Sequence, residues 1–500
     1  MKKLFQIFFL IGFILIQNFY AQQEKLDKIN SYIQHAMEDW KMPGFAVAIV
    51  QNDSVIFAKG YGVREAGRDQ PVDENTLFII ASCSKAFTTA SLAILVDHGK
   101  IKWDDRVTKY LPDFQMYDPW VTNEITIRDL VTHRSGLATF SGDFLWLGSN
   151  YDRKEVIRRA RFLKPISSFR TKYGYQNIMF ITAAEIIKAV TDTSWGDFIQ
   201  SHILNKIGMN RTNTSYAQLR MADNTAKAHY MKDGEMEVYT DNQNDNAQGA
   251  LGINSCVNDM AQWVRLQLGK GKYMGKQIFS ESQSNEMWSN QFAFGNMNYG
   301  LGWYIRYQNG KRILNHGGGM PGMISDVTVV PEENFGFVIL SNYETGMVNA
   351  IRNYIIDIMT NVEPKDYESR MLDAWAKRIE RYNSELKRRE EIRVKDSESS
   401  MPLVKYCGTY EDKMYGNAEV SLKNGKLFLK FLPSPTFSGE LHHYQYDTFY
   451  IDWGDEFLTR GFVKFDMDFK GNPNKISFEV PNSPDFIFTD LSFERIKSEE

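Results

Sequence analysis

Two serine–lysine pairs stand three residues apart in this chain, Ser82-Cys83-Ser84-Lys85 and Ser384-Glu385-Leu386-Lys387. Side chains at i and i+3 of a helix share a face, so the amine can take the proton that turns the hydroxyl into a nucleophile. A serine hydroxyl is too weak an acid to attack unaided, and a base beside it makes covalent hydrolysis possible. The flanks separate the two pairs. Ser82 follows the apolar Leu77-Phe78-Ile79-Ile80-Ala81 and leads into residues 86–96, an apolar run stopped by Gly99, which predicts a buried helix with Ser82 at its N-terminus. Backbone N–H groups there lack intrahelical partners and favour negative charge, so the same end can hold an oxyanion. Ser384 sits among alternating charges and predicts a solvated helix. On these residues alone, a Ser82 that merely caps its helix beside a snorkelling Lys85 is an equal reading.

Two further stretches could complete such a site. Tyr175-Gln176-Asn177 follows a loop and opens a helix from Ile178. A tyrosine beside a lysine can act as a base if the ammonium lowers its pKa from about 10. Tyr307-Gln308-Asn309 and Tyr415-Gly416-Asn417 share the spacing but read as hairpin turns. His316-Gly317-Gly318-Gly319 follows the short strand-like Arg312-Ile313-Leu314. Consecutive glycines let a backbone approach a substrate and donate to it, or they mark a bulge on an edge strand. A phosphate loop is disfavoured, because no Gly-Lys-Ser/Thr ending is present.

The elements that must position these residues follow from pattern. Gly44-Phe45-Ala46-Val47-Ala48-Ile49-Val50 and Val55-Ile56-Phe57-Ala58 flank Gln51-Asn52-Asp53, a hairpin signal. Residues 326–330 and 336–340 flank Pro331-Glu332-Glu333-Asn334 in the same way, and helical periodicity marks 84–97, 178–191 and 259–268. Strands at both ends with helices between them predict an α+β domain whose termini share one sheet. From Pro364 to Arg393 a charged helix with an apolar stripe (Met371, Leu372, Trp375, Ile379, Tyr382, Leu386) is expected to lie across that domain. After the loop-like residues 395–400, apolar alternation takes over, as in Lys426-Leu427-Phe428-Leu429-Lys430-Phe431 behind an Asn424-Gly425 turn. The expected division is a signal peptide (1–21), a hydrolase-like domain (22–362), a charged helix and linker (363–400) and a small antiparallel β-barrel (401–500).

A formal net charge of −4 gives no electrostatic reason to propose nucleic acid as a partner. Lys2 and Lys3, an apolar stretch over 4–16, a polar break at Gln17-Asn18 and Ala21 read as an export signal, too short for a membrane span. A periplasmic or extracellular location follows, with no other stretch apolar enough to cross a bilayer. Cys83, Cys256 and Cys407 are few, scattered and odd in number, which argues against a disulfide framework. No H-x-x-x-H, H-E-x-x-H or C-x-x-C occurs, and neither a metal nor a cofactor is expected.

Taken in order, Ser82-x-x-Lys85, Tyr175-x-Asn177 and His316-x-Gly318 resemble the three motifs of the serine β-lactamase and penicillin-binding-protein superfamily. Asp129-Leu130-Val131-Thr132-His133-Arg134-Ser135-Gly136-Leu137, Tyr299-Gly300-Leu301-Gly302-Trp303 and Leu340-Ser341-Asn342 resemble the branch that contains class C β-lactamases, D-aminopeptidases and related esterases. The resemblance covers residues 25–362, and the tail is similar to the lipocalin-like domain appended to some peptidases of this branch. It implies a β-lactamase-like antiparallel sheet with flanking helices and a helical insertion. It also implies Ser82 as the acylated nucleophile, Lys85 as its proton acceptor, Tyr175 as acid and base, and Asn177 as the residue orienting Lys85 and a substrate amide. The N–H groups of Ser82 and Gly319 are implied as oxyanion donors, with Gly318 and Gly319 on the substrate-binding strand. His316, which the resemblance places among the catalytic residues, stands where many β-lactamases carry lysine. A histidine is mostly neutral at neutral pH, which points away from carboxylate recognition and toward the aminopeptidase and esterase members. The expectation is an exported serine hydrolase of small peptides or amides, including D-residues, or of small esters, with a homo-oligomer through the C-terminal domain allowed. The alternatives are a β-lactamase, a non-catalytic muropeptide or β-lactam sensor, and a barrel that itself binds lipid or glycan.

Overall fold

Asn52 and Asp53 both adopt left-handed angles, φ 50° and 61°, as a two-residue turn between right-twisted strands requires. They join β1 (Gly44–Gln51) to β2 (Ser54–Gly62), the expected hairpin, which follows a long N-terminal helix α1 (Lys2–Asp39). The computed structural model describes residues 2–496 except 233, 241–242, 456 and 481–486. The backbone of the expected leader, residues 2–21, runs within α1; most side chains of that stretch lie outside the described residues. The chain continues through α2 (Ser84–Asp97), α3 (Asn177–Thr191) and α4 (Val257–Leu268). It returns as β3 (Phe292–Phe294), β4 (Met297–Tyr299), β5 (Tyr304–Gln308), β6 (Lys311–Met320), β7 (Met323–Val330) and β8 (Phe335–Ser341), then α5 (Met347–Met359).

These strands form one antiparallel sheet in the order β2-β1-β8-β7-β6-β5-β4-β3. β1 pairs with β8 from Phe45↔Ser341 to Gln51↔Phe335, so the first and last strands of the domain are neighbours, as their patterns predict. Both faces are covered, which explains why β1 and β8 read as continuous apolar runs rather than alternating ones. One face packs on Phe87 of α2, Phe180 of α3 and Trp263 of α4, with the Phe87 and Trp263 rings stacked at 3.7 Å. The other packs on Ile29, Ile33 and Ala36 of α1 and Ile351 and Ile355 of α5.

The charged segment forms α6 (Tyr367–Ile392), but only its first turns lie on the sheet domain. Met371, Leu372 and Trp375 pack there, Ile379 is 48% exposed, and beyond it the helix reaches the barrel. Arg393 Nε donates to the Tyr444 carbonyl at 2.8 Å, and Arg389 pairs with Glu479. The helix is therefore a strut between two bodies: apolar residues of its first turns meet the sheet domain, and arginines at its far end meet the barrel. Ser384 and Lys387 lie exposed on it, as their charged context predicts.

The tail closes an eight-stranded antiparallel barrel from β9 (Gly408–Asp412), β10 (Gly416–Lys423), β11 (Lys426–Phe431), β12 (Ser438–Gln445), β13 (Thr448–Trp453), β14 (Gly461–Met467), β15 (Pro473–Glu479) and β16 (Ser492–Arg495). Rings of Tyr410, Phe431, Phe449, Phe465 and Phe493 are buried in its core. Side chains thus fill it, as small barrels allow, and the sequence reading of a lipid- or glycan-binding barrel finds no support there. The barrel is not independent of the first domain: Phe144 packs on Phe437 (4.7 Å), Phe488 (4.8 Å) and Tyr415 (5.7 Å).

Asp129 holds the segment that leads toward the site. Its carboxylate is wholly buried, caps the short helix Ile127–Leu130 through Thr126, and accepts from Arg134 Nε at 2.6 Å and Arg170 Nη2 at 2.6 Å. Burial alone would raise its pKa, but the Arg170 hydrogen bond and the Arg134 charge hold it below the ordinary carboxylate value. Removing one member of a buried ion network leaves the other charges uncompensated. Asp129→Ala should therefore destabilise the fold by about 3–5 kcal/mol in urea denaturation at neutral pH. A carboxylate with a depressed folded pKa stabilises above its unfolded value of about 4 and loses that contribution as pH falls through the lower folded value. The gap between wild type and variant should accordingly narrow on acidification.

Candidate active site

Ser82 lies in a 3-10 turn, Ala81–Cys83, that feeds directly into α2. Ala81 carries φ 44°, a left-handed angle uncommon for a residue with a side chain, so local strain sits beside the candidate nucleophile. Residues i and i+3 eclipse in such a turn, and Lys85 folds back over Ser82. Its Nζ donates to Ser82 Oγ at 3.0 Å, to Asn177 Oδ1 at 2.7 Å and to the Ala250 carbonyl at 3.1 Å. Lys85 is fully buried, and that burial pulls its pKa down from 10.5 to about 7, against the opposing charge of Asp143.

Asn177 opens α3, and its amide is held from both ends: Oδ1 accepts from Lys85, and Nδ2 donates to Asp143 Oδ2 at 2.7 Å. Asp143 in turn accepts from Trp146 Nε1 at 2.9 Å within the turn that carries Phe144. Tyr175 is buried with its ring 4.7 Å from Lys85 Nζ. Burial drives its pKa well above the ordinary value, and a hydrogen bond with Ser82 only partly opposes this. The sequence expectation that the ammonium lowers it is therefore corrected: desolvation outweighs the charge of a lysine that is itself half neutral near pH 7.

His316-Gly317-Gly318-Gly319 is not a bulge but regular strand in the second half of the ten-residue β6, paired with β7 without a register shift from Leu314↔Val329 to Met320↔Met323. His316 is 1% exposed, and burial lowers its pKa to about 3. Gly317 and Gly319 line the cavity. Gly318 does not. It faces the nucleophile's own turn, where a Cβ would come within 2.2 Å of the Ile80 carbonyl and 2.9 Å of Ser82 N. Cys83 points into the core, its Sγ 3.1 Å from the His316 carbonyl and 3.2 Å from Ser325 Oγ; burial pushes its pKa up to about 12 and leaves it inert.

Ser82, Tyr175, Asn177, His316 and Gly319 border a cavity of about 710 Å³. Phe140, Tyr173, Phe294 and Tyr304 form an aromatic wall, with Tyr173 and Phe294 stacked at 3.9 Å, and Phe457 reaches in from the barrel. Arg306 and Arg352 also border it. Asp326 accepts from Arg352 Nη1 at 2.9 Å, while Arg306 Nε and Nη2 and Arg352 Nε are buried without a protein acceptor. Burial and the neighbouring Arg352 lower Arg306 to about 10, so its guanidinium remains charged at neutral pH. Sequence reasoning missed Asp143, Arg306, Arg352 and Phe457, for which no local spacing gave a signal.

Residues 29–358 match the family model described as Beta-lactamase. The chain belongs to the β-lactamase family. Residues 393–495 match a domain of unknown function, DUF3471. Among relatives of this β-lactamase-family chain, the unguisins hydrolase ungD' of Aspergillus campestris is 26% identical over 412 residues, covering 77% of this chain and 75% of the relative. The protein flp of Staphylococcus aureus is 26% identical over 331 residues, 65% of this chain and 64% of that protein. The octameric penicillin-binding protein homologue from Pyrococcus abyssi superposes with a TM-score of 0.61 at 20% identity, over 91% of this chain and 98% of that one. The D-amino acid amidase from Ochrobactrum anthropi SV3 does so at 0.57 and 21%, over 67% and 99%. At these identities the structural likenesses speak for the fold.

The two inner glycines of β6 make different demands. A Cβ at 319 meets only Ile324 Cδ1, at 3.4 Å, whereas one at 318 collides with backbone. Gly318→Ala should lower kcat/KM for p-nitrophenyl acetate by about 100-fold or more, the scale of losing an oxyanion donor, while Gly319→Ala stays within a few-fold of wild type. Equal losses from the two variants would contradict this placement of Gly318.

Proposed function

We propose that the protein is an exported serine hydrolase that cleaves small peptides or amides, D-residues among them, or small esters, through an acyl-enzyme on Ser82. The observation that carries this reading is the amine of Lys85, 3.0 Å from Ser82 Oγ and brought by burial to a pKa of about 7. In its neutral form Lys85 keeps two N–H bonds, to Asn177 and Ala250, and turns its lone pair to the serine proton. Ser82 Oγ, relieved of that proton, attacks the carbonyl carbon, and the N–H groups of Ser82 and Gly319 receive the developing oxyanion. Tyr175, a phenol at neutral pH, donates its proton to the leaving nitrogen or oxygen and regains one from the Lys85 ammonium. Water then adds to the acyl-enzyme with its proton passing the same way to Lys85, and Ser82 leaves reprotonated.

The aromatic wall suits an apolar side chain, and the charge surplus of Arg306 and Arg352 over Asp326 suits a free carboxylate. That pair favours short peptides over neutral esters, although position 316 itself offers no cation. The sensor reading is weakened by a lysine already near its neutral form, and the names of the relatives, a hydrolase and an amidase, agree with turnover. The basic and apolar start of the chain supports export. Among the described residues no helix is long and apolar enough to cross a membrane. Assembly through the barrel is part of the proposal, in keeping with the octameric relative.

Wild type and Ser82→Ala should be compared on p-nitrophenyl acetate and D-Ala-p-nitroanilide. The variant should lose essentially all turnover; equal rates would sink the nucleophile assignment, and a stable adduct without product release would favour a sensor. Because the reaction needs neutral Lys85, kcat/KM should rise with pH and reach half its maximum near pH 7. A flat profile from pH 5 to 9 would remove Lys85 from the role of base.

A further inference from the structure

Three buried rings stand in line behind the cavity: His133 and Tyr299, neither of them exposed, and His316. His133 Nε2 lies 3.1 Å from Tyr299 Oη, which lies 3.0 Å from His316 Nε2. Neither His133 nor Tyr299 has a part in the reaction above, yet they come from the two stretches, 129–137 and 299–303, that the motif analysis set apart. His133 also holds a left-handed φ of 57°, an unfavourable conformation that must be maintained by its surroundings. The Gly174 N–H donates to its carbonyl at 2.9 Å and helps to do so.

One backbone group sets the direction of the whole chain. The Gln176 N–H donates to His133 Nδ1 at 2.9 Å, and a backbone N–H can only donate, so Nδ1 is bare. The ring is packed between Tyr173, Tyr175 and Phe180, and Lys85 is the cation felt there; burial and that charge hold His133 neutral. Its proton is therefore on Nε2 and is donated to Tyr299 Oη. Tyr299 must pass its own proton onward, and His316 Nε2 is the acceptor in reach. His316 is also neutral, beside Tyr304 and Tyr175, so its proton sits on Nδ1 and is donated to the Gly317 carbonyl at 2.7 Å. Every ring nitrogen is then used once, in one direction.

We infer that His133 and Tyr299 are positioning residues that fix His316 as the neutral Nδ1–H tautomer and, through it, pin the Gly317 carbonyl of the strand that presents Gly319 to the acyl group. In this arrangement His316 neither shuttles a proton nor binds a substrate anion, so the proposal gives it a positioning role in place of the catalytic one the resemblance implied. The chain also excludes a lysine at 316, since an ammonium has donors only and cannot accept from Tyr299. The effect on rate rests on the hydrolase reading, but the tautomer does not.

The test is a nitrogen-15 NMR measurement of histidine tautomers on the full chain at pH 7, with His133 and His316 assigned by His133→Asn and His316→Asn, alongside kinetics of Tyr299→Phe. Wild type should show His133 protonated at Nε2 and His316 at Nδ1. In Tyr299→Phe, His316 should lose its single tautomer, and kcat on p-nitrophenyl acetate should fall at least tenfold with KM within twofold. His316 found protonated at Nε2, or as imidazolium, in wild type would overturn the inference whether or not the protein hydrolyses anything. So would a folded Tyr299→Phe with an unchanged His316 tautomer. An unstable Tyr299→Phe leaves the wild-type tautomers to decide.

Discussion

The burial of Lys85 is the constraint on which the rest of the site depends. Taking an ammonium fully out of water is disfavoured by several kcal/mol, and the fall in pKa from 10.5 to about 7 corresponds to roughly 5 kcal/mol against the charged form. The neighbours do not cancel that penalty. Asn177 and Ala250 offer neutral carbonyl oxygens, and the carboxylate of Asp143 is hydrogen-bonded to Lys85 only by way of the Asn177 amide. Had Asp143 paired directly with Lys85, the amine would stay protonated at neutral pH and Ser82 would face a donor instead of a base. Placing an amide between carboxylate and amine orients the lysine without locking its proton.

That relay also accounts for the barrel's contact with the first domain. Asp143 stands at the start of the turn that carries Phe144, and Phe144 is gripped by Phe437, Tyr415 and Phe488. Ser141, two residues earlier, donates to Asp490 at 2.6 Å. The second domain thus buttresses the turn that sets Asn177, and it meets the cavity again through Phe457, whose ring packs on Tyr239 at 4.6 Å. Its contribution is support and wall.

What was legible in the sequence follows from how local each signal is. The Asn52-Asp53 hairpin, the apolar α2 and the barrel alternation are properties of adjacent residues, and the fold class came from them. Ser82 was separated from Ser384 by its flanks because burial is written in neighbouring residues. Tyr175 was placed correctly beside Lys85, but the sign of its shift was misjudged: sequence shows which charges are near, not how little water is. The glycines left a bulge open as a reading because their lack of side chains hides strand alternation, while their need, a close passage of Gly318 over Ile80 and Ser82, lies in another segment. Arg306, Arg352, Asp143 and Phe457 come from four separate elements, and only the folded chain brings them to one cavity.

The departure at position 316 gains a physical reason from these contacts. A cation on the glycine strand would lie in the same buried pocket as Lys85, and two positive charges in low dielectric would each push the other's pKa down. A neutral histidine avoids that, and its two nitrogens join the strand to Tyr299 instead. Positive charge does border the cavity, but on Arg306 and Arg352, where the Asp326 carboxylate offsets part of it. On the proposed reading, separating the cations in this way keeps Lys85 free to act as a base while an anionic group of a substrate is still attracted, so the histidine and the arginine pair form two parts of one electrostatic arrangement.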